Sequence, residues 1–214
     1  MESKCLSILI FSAIFNIFHA LDVSISCGFT TQTNFELLKV IEYTCNVVNN
    51  FPDDRNVIIT SLNGTHDANK TNDDVQAVSI SNLQVFFIPL GLMTIFKNFT
   101  SLKIDKTPLK FIRKVDLDEF PTLKALQVSN SEVEYIGKNL FIELISIELI
   151  DLRGNKIFYI NPEIFNNELS KALSNLKFLI LTGNVCDVVD EIPMELMSHD
   201  EIMIFASLFG NSPC

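Results

Sequence analysis

The chain has 214 residues, of which 48% are hydrophobic and 20% are charged, and its net charge is −10 at pH 7. This composition is too apolar for a disordered chain and is sufficient for one packed domain. The excess of negative charge argues against nucleic acid as a partner, because non-specific binding to nucleic acid depends on neutralising phosphates with basic residues.

The first 26 residues have the pattern of a secretory signal peptide. Lys4 precedes an apolar run over residues 5–15, and small residues follow that run. We expect cleavage after Ala20 or after Ser26, which would leave a secreted, extracellular mature chain without a membrane span. The alternative is a membrane anchor that is retained, although the apolar run is near the lower length limit for a span.

The cysteine content and the glycosylation sequons agree with export. Removal of the signal peptide takes away Cys5 and leaves an even number of cysteines, which indicates disulfide bonds in an exported chain and allows three pairings. The remaining cysteines are Cys27, Cys45, Cys186 and Cys214. Sequons for N-glycosylation begin at Asn63, Asn69 and Asn98.

The segment between the signal peptide and residue 75 fits no repeat. Two apolar runs rich in β-branched residues, at 44–48 and 57–62, lie on either side of Phe51-Pro-Asp-Asp54. Such runs are typical of strands, and turn-forming residues between them favour a hairpin. We therefore predict that these two runs pair with each other.

A repeat of 24 residues extends over residues 75–185. The first four segments start 24 residues apart, and the fifth follows a copy that is five residues longer. Positions 4 and 6 of every segment are apolar, and the alternation around them predicts one short strand in each segment. The five segments start at Val75, Phe99, Leu123, Ile147 and Leu176.

This spacing resembles the leucine-rich-repeat family, whose pattern L-x-x-L-x-L-x-x-N-x-L is met most closely by residues 147–157. The resemblance implies an α/β fold, a solenoid with a curved parallel sheet on its concave side, in which each repeat packs only on its neighbours. It also implies that positions 4 and 6 point inward, and that the position-9 asparagines, Asn155 and Asn184, bond to the turn backbone.

The ends of a solenoid expose apolar core and need terminal covers. The cysteines are similar to those in the caps of secreted leucine-rich-repeat proteins. This resemblance implies an N-terminal cap over residues 27–74 with a Cys27–Cys45 bridge, and a C-terminal cap over residues 186–214 with a Cys186–Cys214 bridge. Within the second cap, residues 198–210 have a capping-box spacing and a final glycine, which predict a short helix.

Motifs that support catalysis or metal binding are absent from the sequence. His66 and His199 are isolated, and there is no G-x-S-x-G, no phosphate-binding glycine loop and no H-E-x-x-H. The acidic residues that follow Lys177 match no EF-hand loop and fit a solvated surface better. We therefore expect a protein that is not an enzyme and has no metal site and no cofactor.

In this family the outward-facing strand positions bind partners, and in the last two repeats they combine apolar residues with a charged rim. Such a combination is typical of a protein-binding patch. The predicted partner-binding residues are Leu149, Asp151, Arg153, Lys177, Phe178 and Ile180. The alternative is that the C-terminal cap covers the apolar members as part of the core.

A basic cluster around the second repeat is a weaker candidate site for an anionic ligand. It consists of Lys103, Lys106, Lys110, Arg113, Lys114 and Lys124. A solvated surface is the interpretation that we favour for these residues. The expected function is thus a secreted, non-catalytic protein that binds an extracellular protein through its concave face. A structural component of an extracellular matrix or surface coat is the alternative, and self-association would favour it.

Overall fold

The computed structural model describes residues 20–52, 56–161, 174–185 and 192–193. The predicted signal segment up to residue 19 lies outside the described residues. So do both cysteines of the predicted Cys186–Cys214 bridge and the predicted helix over residues 198–210. The described chain has a mostly-sheet α/β fold with few helices.

Most of the strands belong to one sheet. The strands are β1 (Leu21–Phe35), β2 (Val40–Val47), β3 (Val57–Asn63), β4 (Ala77–Ser81), β5 (Ser101–Asp105), β6 (Ala125–Ser129), β7 (Tyr135–Ile136), β8 (Leu149–Asp151), β9 (Tyr159–Ile160), β10 (Phe178–Ile180) and β11 (Ile192–Pro193). The nine-stranded sheet has the order β11-β10-β8-β6-β5-β4-β2-β1-β3, and β7 pairs with β9. The helices are short: a 3-10 turn at Asn72–Asp74, α1 at Leu92–Ile95 and α2 at Lys114–Leu117.

The sheet is mostly parallel, and its register coincides with the sequence repeat. From β2 through β4, β5, β6 and β8 to β10, successive strands are parallel. Position 4 of each repeat pairs with position 4 of the next, including across the lengthened copy. These paired residues are Val78, Leu102, Leu126, Ile150 and Leu179. All five side chains are buried, so the period-2 pattern places one face of the sheet in the core.

After each repeat strand the backbone turns through the left-handed region at position 8. The residues there are Asn82, Lys106, Asn130, Gly154 and Gly183, with φ between 48° and 70°. Glycine and asparagine adopt this conformation at low cost, whereas other L-residues rarely do. The lysine is thus the one residue of this set that the conformation does not favour.

The asparagines at position 9 form the bonds that the resemblance implies. Asn155 Nδ2 donates to the carbonyl oxygens of Val128 and Leu152 at 2.6 and 2.8 Å, and its Oδ1 accepts from the Val133 N–H at 3.3 Å. Asn184 Nδ2 likewise donates to the carbonyl oxygens of Leu152 and Leu181. The amides therefore satisfy turn backbone groups that would otherwise be buried without partners.

The core contains the inward side chains of both sheets. Ile136 in β7 and Ile160 in β9 belong to the same buried cluster as Leu126 and Ile150 of the large sheet. Their neighbours in sequence, Tyr135 and Tyr159, are exposed. The two-stranded sheet therefore presents one side to the core and the other to solvent.

The predicted hairpin between residues 44–48 and 57–62 is wrong, because β1 lies between β2 and β3. Residues 27–35 of β1 pair antiparallel with β2, and residues 21–26 pair parallel with β3. The segment of β1 is rich in serine, threonine and glutamine, so its sequence does not have the apolar pattern that predicts a strand. Ile25 and Phe29 are nevertheless buried. The predicted disulfide Cys27–Cys45 is present and joins β1 to β2.

Candidate binding site

The hairpin of β1 and β2 reaches over the sheet face that is opposite to the core. We call this face the hairpin face, and residues 33–39 the hairpin tip. Phe35 of the tip is buried against Ala125, Leu149 and Ile180 of three successive repeat strands, and other apolar residues pack around this cluster. The partly buried members are Leu37, Leu38 and Phe178.

The structure differs from the prediction that the last two repeats expose an apolar patch. Leu149 is 2% exposed, Ile180 is 1% exposed, and Phe178 is half-buried. The C-terminal cap, which was the alternative cover, lies outside the described residues except for residues 192–193. Among the described residues, the cover comes from the hairpin tip. The physical reason is that the tip carries apolar side chains that are themselves buried by this contact.

Polar contacts at the hairpin tip and beside it hold the hairpin to the sheet. The buried carboxylate of Glu42 in β2 accepts hydrogen bonds from Asn34 Nδ2 at 3.0 Å and from the hydroxyl of Ser101 in β5. Asn34 Nδ2 also donates to Thr44 Oγ1 at 2.8 Å. These bonds satisfy polar groups that would be costly to bury alone, and they orient the hairpin over the face.

A cleft of about 440 Å³ remains between the hairpin tip and the sheet. Residues 33–37 form one side of it. The sheet side consists of Lys103, Asp105, Gln127, Asn130, Leu149, Asp151 and Arg153. The lining is mainly polar, so a ligand there would be recognised chiefly through hydrogen bonds and charge.

Two carboxylates of the cleft are held by neighbours within the sheet. Asp151 is buried, and both of its oxygens accept from Arg153 Nε at 2.9 Å. Asp105 accepts from Ser129 Oγ and Asn130 Nδ2, both at 2.8 Å. The cleft wall is therefore ordered before any ligand binds, which lowers the entropic cost of binding.

The cleft contains two cations, Lys103 and Arg153. Arg153 pairs with Asp151, whereas no acidic side chain among the described residues forms an ion pair with Lys103. It lies in β5, in the same sheet row as Gln127 and Asp151. Its ammonium group can accordingly pair with an anionic group of a ligand.

The structure brings together only part of the predicted partner site. Leu149, Asp151 and Arg153 line the cleft, whereas Lys177 bonds to Glu148 Oε2 at 2.9 Å and is not among the lining residues. The hairpin residues that line the cleft were not predicted from the sequence. Their recognisable feature is the apolar group Phe35, Leu37 and Leu38 in an otherwise polar stretch.

Acidic neighbours pair with three members of the predicted basic cluster. Lys110 Nζ lies 3.9 Å from Glu132 Oε2, and the Arg113 guanidinium bonds to the buried carboxylate of Asp116. Lys114 Nζ donates to Asp118 Oδ1 at 2.6 Å, and this bond raises the pKa of Lys114 above its usual value. Among the cluster members, Lys103 lines the cleft.

All three sequon asparagines are exposed. Asn63 Nδ2 donates to Ser24 Oγ at 2.9 Å, and Asn98 Nδ2 donates to the carbonyl oxygen of Asp73 at 2.7 Å. Asn69 adopts a left-handed backbone with φ 66°. Glycosylation at these positions stays a prediction.

His66 has structural partners. Its Nδ1 lies 3.2 Å from Tyr43 Oη, its Nε2 lies 2.8 Å from Asn72 Oδ1, and its ring stacks on Phe29 at 3.9 Å. Within residues 20–52, 56–161 and 174–185, no three acidic, histidine or cysteine side chains are placed to hold a metal ion. In the same ranges no helix has the length and hydropathy needed to cross a membrane.

No protein-family model and no curated protein matches the chain. Among solved structures, one similar chain belongs to an octameric complex of Latrophilin 3, Unc5D and FLRT2, the last described by its LRR region. The sequence identity is 19% and the TM-score is 0.41, over 62% of this chain and 44% of that chain. The match thus spans less than half of the other chain, and a TM-score of this size supports no functional inference.

Proposed function

We propose that the chain is a secreted, non-catalytic leucine-rich-repeat solenoid that binds an extracellular protein partner in the cleft under the hairpin tip. The 24-residue repeat in register with a parallel sheet supports the solenoid, because each repeat contributes one strand next to that of its neighbour. The Cys27–Cys45 disulfide supports an oxidising compartment such as the extracellular space.

The cleft between the hairpin tip and the sheet is the observation that carries the proposal. Its wall combines the Lys103 ammonium group with the fixed Asp151–Arg153 ion pair and the Gln127 amide. These groups offer donors and acceptors at fixed positions, which suits a polar polypeptide segment with a carboxylate opposite Lys103. The apolar residues predicted to bind the partner instead support the hairpin that bounds the cleft.

The test is capture of extracellular proteins by the immobilised secreted chain and by a Lys103→Glu variant. We expect the variant to lose a specific partner by about tenfold or more, because the substitution replaces an attraction with a repulsion. Lys97→Glu is the matched control, since Lys97 is exposed and lies outside the cleft. A specific partner that binds Lys103→Glu as tightly as the parent chain would place the site elsewhere.

The alternative function, a structural matrix or surface-coat component, is favoured by a different observation. Aromatic side chains are exposed at Phe111, Tyr135, Phe158 and Tyr159, away from the hairpin cleft. Exposed aromatic surface of this kind promotes protein association. Such a component would associate with itself or with a matrix, and would not bind one saturable partner.

A further inference from the structure

A column of aromatic residues occupies position 13 of the four 24-residue repeats. It consists of Phe87, Phe111, Tyr135 and Tyr159. Tyr135 and Tyr159 pair in β7 and β9 and their rings stack at 5.2 Å, while Phe111 forms a bridge with Tyr135. The next residue in each repeat is a buried isoleucine, so these rings lie on the outer side of the core.

Three of these rings have a large exposed fraction. Phe111 is 47% exposed, Tyr135 is 40% exposed and Tyr159 is 39% exposed. Phe87 is half-buried, with the Arg113 guanidinium 4.7 Å above its ring. An exposed apolar surface that continues across several repeats is typical of a protein interaction site.

Position 12 forms a second column beside the first. It consists of Phe86, Lys110, Glu134 and Phe158. The Glu134 N–H donates to the Lys110 carbonyl at 3.2 Å, and the Phe158 N–H donates to the Glu134 carbonyl at 3.1 Å, so consecutive members are neighbours. Phe158 is 50% exposed, and Lys110 is also exposed.

The order of residues in this second column is complementary to the same order read backwards, because lysine then meets glutamate and phenylalanine meets phenylalanine. If two copies face each other with the columns antiparallel, Lys110 of each copy lies opposite Glu134 of the other, and Phe86 lies opposite Phe158. In the same arrangement Phe111 lies opposite Tyr135. A twofold axis produces such self-complementary contacts, which are the commonest kind in soluble oligomers.

Within one chain the charges of this column do not pair with each other. Lys110 Nζ approaches Glu132 at 3.9 Å, and Glu134 forms no ion pair among the described residues. Glu132 already has a closer partner, Lys156, at 3.0 Å. Lys110 and Glu134 are therefore available to a second chain.

We infer that positions 12 and 13 of the four repeats form the interface of a symmetric, antiparallel dimer of this chain. Stacked aromatic rings supply the apolar centre of the interface, and the two Lys110–Glu134 pairs set its direction. The cleft under the hairpin tip shares no residue with these columns. The dimer therefore does not depend on the partner proposed for the cleft, and as a closed pair of chains it differs from the open-ended self-association expected of a matrix or coat component.

Sedimentation equilibrium of the secreted full-length chain tests the dimer. The parent chain is expected to dimerise, and either Lys110→Glu or Glu134→Lys should weaken dimerisation by about tenfold or more, because like charges then face each other. The double variant Lys110→Glu/Glu134→Lys should regain dimerisation, since the exchange restores both pairs in reversed orientation. Lys97→Glu, which changes the same charge elsewhere, should dimerise like the parent.

Three results would overturn the inference. The first is a parent chain that stays monomeric at its highest soluble concentration. The second is single variants that dimerise as strongly as the parent. The third is a double variant that is as weak as the single ones while its thermal melting matches that of the parent. None of these results bears on the capture experiment with Lys103→Glu.

Discussion

Gly91 precedes α1 in a backbone conformation that side chains rarely adopt, with φ 84°. A Cβ atom at this position would lie 2.6 Å from the carbonyl oxygen of Ile59, a backbone atom that cannot move aside. The Gly91 N–H also donates to Glu119 Oε2 at 2.8 Å. The glycine thus allows the chain to pass close to β3 at this turn.

Gly91→Ala is expected to lower the free energy of unfolding by about 1–2 kcal/mol from the backbone conformation alone, and by more because of the contact with Ile59. Urea denaturation measures the change. Gly28→Ala is the control, because a Cβ there meets nothing closer than 3.8 Å and alanine inside a strand should leave stability unchanged or raise it by up to about 1 kcal/mol. Equal effects of the two substitutions would contradict this account.

A substitution at Ile180 tests whether the hairpin face is an exposed binding surface or is covered by the hairpin tip. Because it is buried under Phe35, Ile180→Asp should place a charge in an apolar site and destabilise the fold by several kcal/mol. Ile145→Asp is the matched control, since Ile145 is exposed and the change should cost less than about 0.5 kcal/mol. Thermal melting decides the question, and an Ile180→Asp protein as stable as the control would mean that the face is open.

At the scale of elements, β1 has two roles. Its second half pairs with β2 and carries the hairpin tip to the sheet, while its first six residues pair with β3 and bury Ile25. A chain that began at Cys27 would retain the hairpin and lose the strand that joins β3 to the sheet.

This arrangement leads to a prediction about processing. For the export that we propose, we expect cleavage after Ala20 and a product that begins at Leu21, because that product keeps all of β1. Intact-mass measurement of secreted and deglycosylated material gives the first residue directly. A mature chain that begins at Cys27 would show that the β1–β3 pairing is dispensable.

Across the described part of the molecule, three surface groups have pKa values that are shifted from their usual ones. The Thr71 N–H holds the pKa of Asp74 below its usual 3.8, and the hydrogen bond from Lys156 holds the pKa of Glu132 below its usual 4.5. The bond to Asp118 raises the pKa of Lys114 above its usual 10.5. Each shift makes the free energy of unfolding depend on pH, and the direction of the shift decides whether stability is lost at low or at high pH.

The two carboxylates with lowered pKa stabilise the fold above their usual pKa values, and this contribution is lost as the pH falls through their folded-state values. The lysine with raised pKa stabilises the fold below its usual value and loses its contribution as the pH rises through the folded-state value. From these groups we expect a stability plateau between about pH 5 and pH 10, with small decreases on either side because surface pairs are screened by water.

Thermal melting across this range measures the plateau. Lys156→Met provides the control, because it removes the main cause of the lowered Glu132 pKa and should reduce the acid-side decrease. A melting temperature that rises as the pH falls from about 5 to about 3 would contradict the assignment of these pairs.

The repeat in the sequence was sufficient to predict which residues of the repeats share a sheet row. The spacing of 24 residues recurs in the pairing of Val78, Leu102, Leu126 and Ile150, because each repeat forms its strand and turn from its own local pattern. The asparagine bonds and the Cys27–Cys45 disulfide could be anticipated for a similar reason. They depend on residue type at a position that the repeat or the cap already defines.

The identity of the residues that cover the hairpin face could not be predicted from the sequence, because it depends on long-range contacts. An apolar residue such as Leu149 or Ile180 has the same sequence pattern whether a partner or the chain itself covers it. The contact with Phe35 joins residues more than a hundred positions apart, and no local periodicity records such a contact. For the same reason the strand β1 went unrecognised, since its place between β2 and β3 depends on partners that lie elsewhere in the chain.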